Sequence, residues 1–417
     1  MVKVNPFTPS NPAPATLFAG RDEEINAIDK ELHQACNGNP THLLLIGERG
    51  IGKTSLLHVG EIFAKGKFVW SEKKHNFLVI RLRLDETIDL VSFAIILKRT
   101  IERQLDKEHP ALNIIKQAWE FISKFEVQGI SFKREGAINI NDVVFIQDFI
   151  NSISNTIYSI RDPKLPTSER KDGLVILIDE ADKASKNLNL GSFLKNLSEN
   201  LAAEKTNYIL FIITGLPGVK KIFTDSHESS LRLFEEHCLK PLSEEDTAHV
   251  IRKGLDDIEK RSNEKIKIDY DAQKAICVYS EGYPHFVQQI GYSAFEENND
   301  DTISPEDVHN SFFSENGALK QIGDRFYHKS FYQDITAETQ RQILRIMAEK
   351  WNDWVTRNEI KEKFTGKEDS LTNGLKALRD KHIIISKEGT KGEYRLQWLS
   401  FALWILWMGK KSSQSST

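Results

Sequence analysis

Cysteine is scarce in this chain. Only Cys36, Cys238 and Cys277 occur in 417 residues. The odd count argues against a disulfide framework, and no two lie at a metal-knuckle spacing. A reducing, cytoplasmic setting is the expectation. Long hydrophobic runs are missing too. Leu399 to Met408 is apolar, but ten residues are too few to span a bilayer. The amino-terminal stretch MVKVNPFTPSNPAPATLFAGR lacks the apolar centre of a signal peptide, so no membrane partner is expected. Nor does one sign of charge dominate. The formal net charge is −4, which gives no bulk indication of nucleic acid. What remains is 40% apolar and 28% charged, the composition of a globular protein with sizeable cores. The length sets two or three domains as the starting expectation.

The chain is organised around His42 to Gly60, HLLLIGERGIGKTSLLHVG. Leu43 to Ile46 reads as a buried parallel strand, and Ser55-Leu56-Leu57 opens a helix. Between them Gly47, Glu48, Arg49, Gly50, Ile51, Gly52, Lys53 and Thr54 fit G-x-x-x-x-G-K-[ST]. Glycines let such a loop turn its N–H groups toward a phosphate chain, and the following helix adds its positive dipole end. Lys53 would place a charge on the β/γ-phosphates, Thr54 would ligate Mg²⁺, and Ser55 completes the loop. The cofactors expected are therefore ATP and Mg²⁺.

Leu174 to Glu180, LVILIDE, is an apolar strand ending in two carboxylates. In parallel sheets ligands bind at the carboxyl ends of strands. Asp179 is expected to hold the Mg²⁺ shell and Glu180 to activate water. Tyr208 to Ile213 is a third buried strand, and Thr214 at its end is a candidate to orient that water, or simply a strand-ending threonine. Arg232 is a candidate arginine finger toward a neighbouring subunit, with a solvated helix arginine as the alternative. Phe77 to Leu84 reads as another strand, residues 87–105, 111–125 and 143–161 as helices, and the two runs flanking Lys133-Arg134-Glu135-Gly136 as a β-hairpin.

Ser243-Glu244-Glu245-Asp246 and Ser304-Pro305-Glu306-Asp307 have helix-start chemistry, and residues 243–315 read as an all-helical unit. From residue 336 the order is helix, helix, helix, hairpin, which is the winged-helix order. Residues 336–400 carry 13 Lys/Arg against 10 Asp/Glu, a local excess of +3 on an acidic body. Thr372, Asn373, Lys376 and Arg379 form the outward face of the third helix, with Lys387 and Lys391 on the wing turn. Such a face suits a DNA groove, and equally winged helices dock proteins.

Together, Phe18-Ala19-Gly20-Arg21, GERGIGKT, LVILIDEAD, the Thr-ended strand and the helical stretch with Gly282-Tyr283-Pro284 resemble AAA+ ATPases. Within them the chain resembles the archaeal origin-recognition initiators and the STAND-type signalling ATPases. The resemblance implies an α/β P-loop core, an all-helical lid and a carboxyl-terminal winged helix. It implies that Phe18, Gly20 and Arg21 pack against adenine, that Thr214 is the sensor after the acidic strand, and that Pro284 touches the base. Where initiators usually carry a lid arginine, His285 and Gln288 stand here.

The domain layout expected is an extended arm over 1–20 and a nucleotide-binding domain over 21–240 with a hairpin insertion near 126–140. A helical lid over 241–316 and a linker helix over 317–335 follow. A winged helix with its closing helix occupies 336–408, and a disordered tail 409–417. Two functions fit. One is a slow ATPase, homo-oligomeric, that assembles on double-stranded DNA in a nucleotide-dependent way. The other is an ATP/ADP switch whose partner is a protein effector, as in a signalling or defence system.

Overall fold

The computed structural model describes residues 4–11, 18–71, 73–105, 107–123, 143–262, 265–351, 353–387 and 389–414. The hairpin expected near 126–140 lies outside the described residues. The chain divides into two compact units, one of residues 12–240 and one of residues 1–11 with 241–417.

The first unit is built on a five-stranded parallel sheet. Its strands are β1 (His42–Ile46), β2 (Leu78–Arg83), β3 (Leu174–Asp179), β4 (Ile209–Gly215) and β5 (Phe234–Cys238), in the spatial order β2-β3-β4-β1-β5. The three inner strands are apolar nearly throughout and buried at every position. That is the pattern of strands covered by helices on both faces. The edges differ. β5 exposes Glu236 and Cys238, and β2 exposes Arg81 and Arg83. Charges on an edge discourage further strand pairing. Helices Asp22–Cys36, Lys53–Ala64, Leu90–Gln104, Val143–Ile160 and Leu190–Ala203 belong to this unit. The helix expected over 111–125 is interrupted, running only Leu112–Ala118 before a 3-10 turn at Glu120–Ile122. The buried Trp119 stands at that break, its indole donating to Thr156 Oγ1 at 2.9 Å.

In the second unit, helices Glu244–Ser262, Tyr270–Ser280, Pro284–Glu297 and Pro305–Phe313 pack together. This region is not all-helical. Two-residue strands β6 (Lys267–Ile268) and β7 (Thr302–Ile303) pair in parallel across it. Strands this short carry no alternation to read. Ser304 forms a capping box with Asp307, and Thr356 another with Glu359.

The amino-terminal arm joins this unit. Phe7 is buried against Gly254 and Gly291, and a Cβ on Gly291 would come within 2.7 Å of its ring. Asn5 Nδ2 donates to the Tyr292 carbonyl at 3.1 Å. The arm expected as one extended segment to residue 20 is thus divided, its first part packed on lid helices.

Further on, helix Ala318–Phe326 and a π-turn at Ser330–Asp334 lead into helices Glu338–Ala348, Arg357–Lys363 and Glu368–Asp380. β8 (Val355–Thr356), β9 (Ile384–Ser386) and β10 (Glu393–Leu396) form an antiparallel sheet in the order β8-β10-β9, completing the winged-helix order. Closing helix Leu399–Gln414 buries Trp404 directly over Gly323, where any Cβ would collide at 2.0 Å. Among the described residues no helix is long and apolar enough to cross a membrane.

Candidate nucleotide site

The loop after β1 turns on two glycines with positive φ, Gly50 at 80° and Gly52 at 99°. Only glycine adopts these without steric cost. Gly52 is also the N-cap of helix Lys53–Ala64, which has no side-chain cap and no acid in its first turn. Helices Asp22–Cys36 and Pro305–Phe313 both place acids there. A bare, acid-free helix N-terminus behind a glycine loop is a fit for an anion. Lys53 Nζ folds onto the same loop, donating to the carbonyls of Gly47 at 2.6 Å and Glu48 at 2.9 Å. Burial lowers its pKa, opposed by Asp182, Asp179 and Glu48, so an incoming phosphate would meet an amine already desolvated. Ile51 is buried and pins the loop from below.

The carboxyl ends of β1, β3 and β4 bring three side chains together. Asp179 accepts from Thr54 Oγ1 at 2.8 Å on one oxygen and from Thr214 Oγ1 at 2.6 Å on the other. The Glu180 N–H also reaches the second oxygen, at 3.0 Å. Oxygen ligands gathered beside a phosphate loop suit Mg²⁺, with Thr54 and Asp179 as the residues that would hold it. Thr214 is buried and its hydroxyl is given to Asp179, not to a position beside Glu180. The two side chains thus meet at the adjoining ends of β3 and β4.

Glu180 is engaged as well. It sits in the left-handed region at φ 57° and ψ 41°, as the residue that turns the chain out of β3. Arg83 donates to it from Nη2 at 2.7 Å and Nε at 3.0 Å, and Lys183 from Nζ at 2.5 Å. Burial pushes the carboxyl up, but the hydrogen bonds from Lys183 and Arg83 outweigh it and hold the group below its usual range. In this arrangement Glu180 is an ion-paired carboxylate whose oxygens are already taken. Sequence reasoning missed Arg83 and Lys183. Arginine at the carboxyl end of an otherwise buried strand was the available signal.

Arg21 does not face outward toward a base. Its guanidinium is buried, donating to the carbonyls of Ile51 at 3.2 Å and Lys240 at 2.6 Å. It braces the phosphate loop through Ile51. Gly20 supplies the positive-φ turn ahead of it, and Phe18 is half-buried. Arg232 is exposed on a 3-10 turn, Ser230–Leu233, immediately before β5. That turn lies at the amino edge of the sheet, because β5 runs parallel to β1 with Phe234 opposite His42.

Residues 17–212 match the family of AAA ATPase domains. The first unit has the AAA+ fold. The whole chain is similar to the Aeropyrum pernix ORC2 protein in its ADPNP–ADP complexes, at 12% identity with a TM-score of 0.56, covering 94% of this chain and 95% of that one. Weaker likenesses are to Cdc6p of Pyrobaculum aerophilum, at 14% identity, TM-score 0.44 and 98% of both chains, and to Aeropyrum pernix ORC1 in complex with DNA, at 14%, 0.40 and 94% of both. No curated protein matches. The family match thus covers residues 17–212, and the chain as a whole is similar in fold to the ORC2 protein.

The second unit holds the remaining candidates. Pro284 is the first residue of helix Pro284–Glu297. Gly282 before it has φ 72°, its carbonyl accepts from the Leu242 N–H at 2.8 Å, and a Cβ there would strike the Leu242 carbonyl. Gln288 accepts from the Thr8 N–H at 2.9 Å, and His285 packs on Phe326, its pKa lowered to about 4 by burial. Those two lid positions are absorbed by the arm and an aromatic cluster. On the winged helix, Asn373, Lys376 and Lys391 are exposed. Thr372 accepts from Arg357 at 3.0 Å, and Lys387 is half-buried and paired with Glu393 at 2.7 Å.

Proposed function

We propose that this AAA+ protein binds ATP with Mg²⁺, hydrolyses it slowly, and uses the nucleotide state to control assembly on duplex DNA through its winged helix. The observation that carries the reading is the Thr54–Asp179–Thr214 hydrogen-bonded cluster beside an uncapped glycine loop. When bound, Mg²⁺ neutralises charge developing on the phosphates. The chain's own residues supply the rest. The loop N–H groups and Lys53 bind the phosphates, Asp179 is oriented by two hydroxyls, and Arg21 holds the loop in shape. Slow turnover follows from Glu180, whose oxygens must leave Arg83 and Lys183 before either can take a proton from water.

The test is calorimetric titration of ATP–Mg²⁺ into wild type and Lys53→Ala. The reading expects binding in the first and none in the second. Equal affinity in both would overturn the site.

A second reading, a nucleotide switch with a protein partner, is favoured by one observation. Much of the winged helix's positive charge is met by its own acids: Arg357 and Lys361 with Glu368, Lys350 with Glu359, Lys363 with Glu349 and Lys387 with Glu393. Pairing of this kind lowers the field available to phosphates.

A further inference from the structure

At the amino ends of β2 and β3, across the sheet from the phosphate loop, three segments meet. Cys36 closes helix Asp22–Cys36, His75 lies in the loop entering β2, and Asp172 in the loop entering β3. One ligand atom from each lies within 4.8 Å of the other two. The Cys36 sulfur stands 3.6 Å from His75 Nδ1. Zinc bonds of about 2.3 Å to sulfur and about 2.0–2.1 Å to nitrogen, at a tetrahedral angle, put those two atoms about 3.6 Å apart. The Asp172 carboxylate is fixed by the Asn76 N–H, which donates to Oδ2 at 2.7 Å.

The other ring nitrogen supplies a separate observation. His75 Nε2 and Asp29 Oδ1 are both buried, and neither has a hydrogen-bond partner among the described residues. They lie 3.7 Å apart, and Asp29 Oδ2 accepts from Ser71 Oγ at 2.5 Å. A carboxylate behind a histidine is the usual support of a metal-bound imidazole, fixing its tautomer and ring orientation.

We propose that Cys36, His75 and Asp172 form a tetrahedral site for a zinc-type dication, with Asp29 supporting the histidine and water in the fourth position. Mixed sulfur, nitrogen and carboxylate ligands at these spacings suit Zn²⁺ over Mg²⁺ or Ca²⁺. Binding would replace the thiol proton of Cys36 with the metal. The site would tie the end of the first helix to the entrances of two sheet strands. It is independent of the nucleotide site and stands whether or not ATP binds.

The experiment uses the full chain, stripped of metal and titrated with Co²⁺ alone. Wild type should develop a thiolate-to-cobalt charge-transfer band that Zn²⁺ abolishes by displacement. Cys36→Ser should lose the band, while Cys238→Ser and Cys277→Ser keep it. Asp29→Asn should keep the band and weaken affinity about 10–100-fold. Mass-spectrometric mapping of alkylation provides a second readout, with Zn²⁺ protecting Cys36. No band in wild type, a band that survives in Cys36→Ser, or Cys36 alkylation unaffected by Zn²⁺ would each overturn the site.

Discussion

Arg83 at the end of β2 clasps Glu180 just past the end of β3 with two hydrogen bonds, 2.7 and 3.0 Å long. The strands place them so, since Arg83 stands opposite Asp179 in the β2–β3 register. Releasing the clasp should free a general base. Arg83→Leu is therefore expected to raise ATP turnover several-fold, with Lys183 still limiting the gain. Glu180→Gln should bind ATP normally and lose turnover by about 10²-fold or more. Steady-state phosphate release measures both. A fall in Arg83→Leu to the level of Glu180→Gln would mean that the arginine acts on the phosphates.

Arg232 lies at the amino ends of the strands, the phosphate loop at their carboxyl ends. β5 alone separates the two ends by five residues, roughly 15 Å of strand. Any action on a nucleotide is thus on a neighbour's. Specific activity should rise with protein concentration, and Arg232→Ala should bind ATP but hydrolyse it about 10³-fold more slowly. Mixing Arg232→Ala with Lys53→Ala should restore part of the rate. Concentration-independent turnover with Arg232→Ala at the wild-type rate would leave a solvated arginine and a monomeric switch.

For the winged helix, the exposed cations matter more than the paired ones. Lys376→Glu with Lys391→Glu should weaken duplex binding uniformly across sequences and flatten its salt dependence by about one unit of slope per lost phosphate contact. Lys387→Gln should do less, because its amine is already held by Glu393. Gel retardation at two salt concentrations with ATP present reads all three. No retardation of any duplex at low salt would favour the protein-partner reading.

Glu281 gives a pH prediction. Next to Gly282-Tyr283-Pro284, its carboxylate caps the closing helix, accepting the Leu399 N–H at 2.6 Å. Burial pushes its pKa up to about 7, against the Leu399 and Ser400 N–H groups and Arg395. The folded value lies above the unfolded one, so the native state binds the extra proton between them. Stability should fall as pH rises from about 4.5 to about 7 and then level off. Glu281→Gln should flatten this slope and melt higher than wild type at pH 8, as followed by thermal denaturation across that range. An unchanged slope would place the titration elsewhere.

What was legible in the sequence was local. The glycine loop, the acid-ended strand and the capping boxes at Ser304 and Thr356 each need only a few neighbouring residues to be read. What was not legible depends on register and distance. Arg83 meets Glu180 only because β2 pairs with β3 across a separation of 97 residues. Arg21 braces Ile51 and Lys240 only once β5 has returned beside β1. Thr214 was placed at the right strand end, yet its partner is Asp179 because the two strands lie side by side. The β6–β7 pair, two residues each, offered no period at all.

The arm beneath the lid has a consequence for how the molecule is made. Phe7 reaches its place only after helices Glu244–Ser262 and Pro284–Glu297 exist, and the Thr8–Gln288 hydrogen bond spans 280 residues. At ribosomal speeds that interval is on the order of tens of seconds. The contiguous unit of residues 12–240 can condense within it, while the arm waits with an uncovered aromatic ring. These helices are then covered by a segment made well before them. Maturation of the helical body is thereby tied to completion of the synthesis that precedes it.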